Sequence, residues 1–119
     1  MKLKIIGNQI YDDHEEKIEN EYDNANIIMG EKIIIEYLDG EIIYNKNENI
    51  IELKNKNAII VSLNEEKELN YNTPYGIINL KTRGEKILLE ENPFKLIIEY
   101  KLVLNENVEY KNILEVIII

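Results

Sequence analysis

The chain contains no cysteine and no tryptophan, one arginine, one histidine, one serine and two prolines. Without cysteine there is neither a disulfide framework nor a Cys-based zinc site, and a reducing compartment is compatible with the composition. The lone arginine, Arg83, and a formal net charge of −9 make nucleic acid a poor partner, because phosphate backbones are held by clustered Lys and Arg. The same acidity opposes anionic membrane surfaces and favours solubility. Long apolar runs are missing too: Val116-Ile117-Ile118-Ile119 is far shorter than the roughly 20 residues of a membrane helix. At the other end, Asn8 and Gln9 interrupt any apolar run after Met1–Gly7, so no signal peptide is expected and the cytoplasm is the expected location. The five glycines are scattered, each fits a turn or bend, and none forms a phosphate-binding loop, which disfavours nucleotide cofactors.

What the chain has in abundance is Ile, Asn, Lys and Glu, a genome-wide kind of bias under which Asn-rich stretches are not read as recognition elements. Its 119 residues suit one domain that buries roughly two thirds of the surface its unfolded chain exposes. Period-two alternation recurs and helical periodicity is almost absent, so the fold class is all-β. The stretch Lys95–Leu104 shows this best, with Leu96, Ile98, Tyr100, Leu102 and Leu104 on one face and Lys95, Glu99 and Lys101 on the other. Glu85–Glu90 should pair with it through the turn Glu91-Asn92-Pro93-Phe94. Lys32–Leu38 and Glu41–Tyr44 flank Asp39-Gly40, which predicts a type I′ hairpin. Asn49–Lys54 and Ala58–Leu63 flank Asn55-Lys56-Asn57, where asparagines accept left-handed backbone. With Lys2–Tyr11, Glu16–Met29, Glu68–Tyr71 and Val108–Ile118 the set reaches about nine or ten strands joined by short turns, with bends predicted at Gly7 and Ala25. Long meandering antiparallel strands with no helix to cover a sheet favour a closed barrel over a sandwich.

Between the halves lies Tyr71-Asn72-Thr73-Pro74-Tyr75-Gly76, a corner that feeds a strand with Ile78, Leu80 and Thr82 on its inner face. This run resembles the central signature of the YwiB-like family, small bacterial proteins of unknown function. The resemblance continues through Leu96-Ile97-Ile98-Glu99-Tyr100 and Asn112-Ile113-Leu114-Glu115-Val116 and extends through Ile18–Met29 and Lys32–Tyr37, so it covers most of the chain. It implies a calycin-like antiparallel β-barrel of about 8–10 strands, akin in architecture to lipocalins and fatty-acid-binding proteins, and carries no catalytic fingerprint. Two departures stand out. The connection from Leu63 to Leu69 is short, which would open one end, and the strand around Asn20, Asn24 and Asn26 is polar, which would interrupt an apolar lining.

Chemistry-bearing residues are few. His14 sits in Asp12-Asp13-His14-Glu15-Glu16, a charged turn whose adjacent side chains point apart instead of converging on a metal. Ser62 follows Ile59-Ile60-Val61 with no neighbouring histidine to act as base. Carboxylates such as Glu52, Glu99 and Glu115 alternate away from the core. No catalytic constellation, metal site or cofactor is expected.

The eight tyrosines are the remaining signal. Tyr37 and Tyr100 share faces with Ile and Leu. They act either as core fillers or as the lining of an interior cavity for a small apolar or amphipathic ligand, with Tyr71 and Tyr75 at the rim and Arg83 available to pair a carboxylate head. Arg83 follows Thr82 directly and so should face outward unless a bulge near Gly84 re-aims it. The competing reading is a structural or interaction module, a homodimer built on outward apolar residues such as Ile97 and Val103 or Ile113, Ile117 and Ile119.

Overall fold

A computed structural model of the chain describes residues 1–55, 57–105 and 108–119; Lys56, on the expected Asn55–Asn57 turn, lies outside them. Eleven strands follow one another: β1 (Leu3–Ile10), β2 (Glu15–Tyr22), β3 (Asn26–Met29), β4 (Lys32–Tyr37), β5 (Gly40–Asn45), β6 (Ile50–Lys54), β7 (Ala58–Ser62), β8 (Lys67–Thr73), β9 (Gly76–Glu91), β10 (Phe94–Asn105) and β11 (Val108–Ile118). Among the described residues there is no helix, and none long and apolar enough to cross a membrane. All pairings are antiparallel, as short connections demand.

The strands form two sheets, one of six in the order β2-β1-β11-β10-β9-β8 and one of five in the order β3-β4-β5-β6-β7. Within each sheet, chain neighbours are spatial neighbours, and β11 returns beside β1. The ladder nevertheless stops between β2 and β3 and between β7 and β8, so the described strands do not close into the single barrel that alternation suggested. Both breaks have local causes. Glu16–Met29, expected as one strand, is split at Asp23-Asn24, where Asn24 takes a left-handed φ of 59° and Ala25 is buried at the bend. Met1 ties this corner down by donating its amino group to the Ala25 carbonyl (3.2 Å) and accepting the Ala25 N–H (2.9 Å). At the opposite corner, the Leu63 N–H reaches the Asn49 carbonyl (3.1 Å) and the Asn64 side chain donates to the Glu48 carbonyl (3.1 Å).

Side-chain contacts replace the missing ladder on that side. Thr82, fully buried, donates its hydroxyl to the Ile60 carbonyl. Next to it Gly84 lies so close to Ser62 that any Cβ there would overlap the Ser62 carbonyl. Ile78–Thr82 and Glu85–Glu90, expected as separate strands, are one 16-residue β9, bent where Gly84 pairs Tyr100 and Lys86 pairs Glu99, leaving Glu85 as the bulged residue.

Turns needed correction more often than strands did. The Tyr71–Gly76 corner is the tip of the β8–β9 hairpin, with Pro74-Tyr75 in the turn and Gly76 at φ 127°. In the β4–β5 hairpin the turn residues are Leu38-Asp39, neither with positive φ, so it is not type I′. Gly40 is required instead by the adjacent strand, because a Cβ there would strike the Lys54 carbonyl. The left-handed asparagines are Asn24 and Asn49, not Asn55 or Asn57.

The core sits between the sheets. Ile33, Ile35, Ile42, Ile51 and Val61 of the five-stranded sheet meet Leu3, Leu96, Ile98 and Val116 of the six-stranded one, all essentially inaccessible. Burial of each such side chain contributes about 1.5–3 kcal/mol. Outward faces carry cross-strand ion pairs, among them Lys95–Glu115 (2.9 Å) and Lys111–Glu99 (3.3 Å). Partly exposed pairs of this kind add little stability and chiefly keep the face wet.

Candidate functional site

The strands of the five-stranded sheet carry the core face past the packed interior. After Ile35 comes Tyr37 on β4, after Ile51 comes Leu53 on β6, and two residues before Val61 comes Ile59 on β7. These outer positions, with Ile42, form one wall of a cleft of about 420 Å³. Tyr71, Thr73 and Pro74 from the β8–β9 hairpin and Leu114 from β11 form the other wall. That volume falls within the roughly 300–1,000 Å³ of small-molecule sites.

An amide clamp closes the seam where the ladder is absent. The Asn57 side chain donates to the Asn72 carbonyl (3.4 Å) and accepts the Asn72 N–H (3.1 Å), imitating a strand pair across the two sheets. Among the described residues no charged side chain lines the cleft. The polar groups it offers are tyrosine and threonine hydroxyls and asparagine amides.

The tyrosines are held neutral. Burial pushes the Tyr37 hydroxyl above its ordinary value, reinforced by the Asp39 carboxylate. Its ring packs on Tyr22 at 4.8 Å, and Tyr22 is pushed up to about 12 by burial and then by Asp39. Tyr100 is likewise pushed up to about 12, by burial first and by Tyr71 second. These groups serve as hydrogen-bonding phenols at neutral pH and not as phenolate bases.

Of the five residues singled out from sequence, Tyr37 and Tyr71 come together in the cleft. Tyr100 is buried and faces a second hollow. Arg83 does not join them. It faces outward, as its place after Thr82 predicts, and pairs with Glu66 (3.3 Å) and Glu109 (3.8 Å). Tyr75 occupies the exposed turn, 99% accessible, and rims nothing. The role of Arg83 as partner to a carboxylate in the cleft is thereby withdrawn.

Elsewhere, His14 stacks on Tyr11 (4.4 Å) with Nδ1 2.6 Å from Asp13 and Nε2 3.5 Å from Glu16. Among the described residues no three His, Asp or Glu side chains are placed to hold a metal ion. Ser62 is buried and accepts the Asn64 N–H on its hydroxyl (3.1 Å).

Sequence reasoning missed Asn57, Leu53, Ile59 and Leu114. Their signal was present only as the continuation of alternating faces beyond the residues that fill the core. The second hollow, about 130 Å³, was missed as well; it lies on the core face of the six-stranded sheet beside Gly7, Ile18 and Tyr100.

No family model matches the chain, and no curated protein matches it by sequence. A crystal structure of the ywiB protein from Bacillus subtilis matches its fold with a TM-score of 0.53, over 98% of this chain and 89% of that one, at 13% sequence identity. At that identity the likeness is one of fold, and the chain is YwiB-like in architecture.

Proposed function

We propose that this chain is a member of the YwiB-like group, a cytoplasmic calycin-like barrel opened along two seams. It holds a small apolar or amphipathic molecule in the cleft between its sheets and performs no chemistry on it. The observation that carries this reading is the cleft itself: about 420 Å³, walled by aliphatic side chains and two tyrosines, without a charged group among the described lining residues. Filling by its own side chains, the usual state of a small barrel, holds around Leu3, Ile33 and Leu96, and the cleft walls Tyr37, Leu53, Ile59 and Leu114 pack against that core. Uncharged hydroxyls and amides on an apolar wall orient a ligand without demanding that it be ionised.

Native mass spectrometry of protein purified gently from its own host tests the reading. A co-purifying mass that is retained by the wild type and lost in Leu53→Trp, which fills the cleft, is the expected result. A bare polypeptide mass for the wild type, with no uptake of an added apolar probe such as 1-decanol, overturns it.

One observation favours a second reading, an interaction module. Tyr75, Ile77 and Ile78 stand exposed at the β8–β9 hairpin tip. The outward residues Ile97, Val103, Ile113 and Ile117 are half-buried among ion pairs and form no comparable patch. Light scattering behind size exclusion tests this reading: a dimer abolished by Tyr75→Ser with Ile77→Ser supports it, and a monomer at all concentrations rejects self-association.

A further inference from the structure

Pairing register places four side chains in one row across the core face of the six-stranded sheet: Glu16 on β2, Gln9 on β1, Asn112 on β11 and Tyr100 on β10. The next row is Ile18, Gly7, Leu114 and Ile98, and the one after it contains Ile5, Val116 and Leu96. On β1 and β11 the core face thus changes from aliphatic to polar towards Gln9 and Asn112, while β2 alternates Glu16, Ile18 and Asn20. Polar side chains on a core face are costly unless something hydrates or pairs them. Burial falls across these rows from β10 to the edge strand β2: Tyr100 is 7% exposed and Ile98 0%, whereas Ile18, inward by register, is 64% exposed.

This row floors the second hollow, and Leu114 lines both the hollow and the cleft. Tyr100 borders the hollow and Tyr71 the cleft. The two spaces therefore adjoin through Leu114, and what sets the second apart is its carboxylate, Glu16. Among the described residues neither is lined by Lys or Arg, and the one ionisable carboxylate is Glu16. Tyr11 turns its hydroxyl to Gln9 Oε1 (2.8 Å), and His14 Nε2 stands 3.5 Å from Glu16.

Resting on the ligand-binding reading above, we infer that the ligand is an elongated amphipath whose apolar tail occupies the cleft and whose cationic or neutral head lies on the Glu16–Gln9–Asn112 row, an anionic head being disfavoured. Gln9 and Asn112 offer amides that serve a hydroxyl or an ammonium, whereas a carboxylate would approach Glu16 with only the His14 ring, 3.5 Å from Glu16, to offset it. Glu16 is half exposed, so solvent moderates the preference without reversing it.

The test is calorimetric titration of the full chain with decylammonium, 1-decanol and decanoate at neutral pH and low salt. Decylammonium should bind more tightly than decanoate by about three- to five-fold, with 1-decanol between them. Glu16→Gln should remove that difference, while Glu31→Gln, in the β3–β4 turn, should leave it, which separates the site from the net charge. Equal affinities in the wild type, tighter decanoate, or a difference that survives Glu16→Gln overturn the inference while leaving ligand binding intact. Failure of all three to bind overturns the ligand-binding reading, and the inference with it.

Discussion

The two ends of the six-stranded sheet obey the same alternation and face the same way, yet they live in different solvents. At one end Leu3, Leu96, Ile98 and Val116 are sealed against the five-stranded sheet. Away from it, Gln9 and Asn112 are only half-buried, and Ile18, on the edge strand β2, is 64% exposed although it shares a row with the sealed Ile98. On β11 burial falls between Val116, fully buried, and Asn112, half-buried. A strand's inward face is thus not synonymous with its core. Coverage decides which inward residues stabilise the fold and which are free to meet a ligand.

Substitutions at matched inward positions sharpen that contrast. Leu96→Ala should cost about 2–5 kcal/mol in urea unfolding, because it leaves a cavity in a packed interior. Ile18→Ala, inward but uncovered, should stay within about 0.5 kcal/mol. Equal losses at the two sites would erase the distinction. Gly84→Ala comes next, at about 1–3 kcal/mol, since its Cβ would push β9 from the Ser62 carbonyl and loosen the contact that holds the sheets together along one seam. A neutral result there would mean the seam is not held by backbone approach.

Tyr100 stands at the border and gives the most specific effect. Its folded pKa, about 12, lies above the unfolded value near 10, so the stability it contributes is complete below about pH 10 and is lost as pH rises towards 12. Between about pH 9 and about pH 11 the wild type should lose on the order of 1–2 kcal/mol more than Tyr100→Phe does. Parallel curves for the two proteins would place the Tyr100 hydroxyl in water.

Much of this was written locally. Alternation in Lys95–Leu104 gave β10 and its inner face, and the bend at Ala25 and the outward direction of Arg83 followed from adjacent residues. Both departures from the YwiB-like pattern coincide with places where the ladder breaks, the polar Asn20–Asn26 stretch at β2/β3 and the short Leu63–Leu69 link at β7/β8. What local pattern could not supply was coverage. Whether Tyr75 rims a barrel or caps an exposed hairpin depends on which strands Thr73 and Gly76 pair with, and Asn57 became a clamp only because the fold brings Asn72 beside it. The polar row is distributed over four strands, one residue from each, and no single strand announces it.

The central claim is that the uncovered part of the inward face binds a ligand and the covered part does not. Amide chemical-shift mapping during titration with 1-decanol tests it most directly. The account predicts saturable shifts concentrated at Leu53, Ile59, Tyr71 and Leu114, with Leu3, Ile33 and Ile51 unmoved. Saturable shifts confined to the exposed hairpin tip around Tyr75 and Ile77, or no saturable shifts at all, would contradict it.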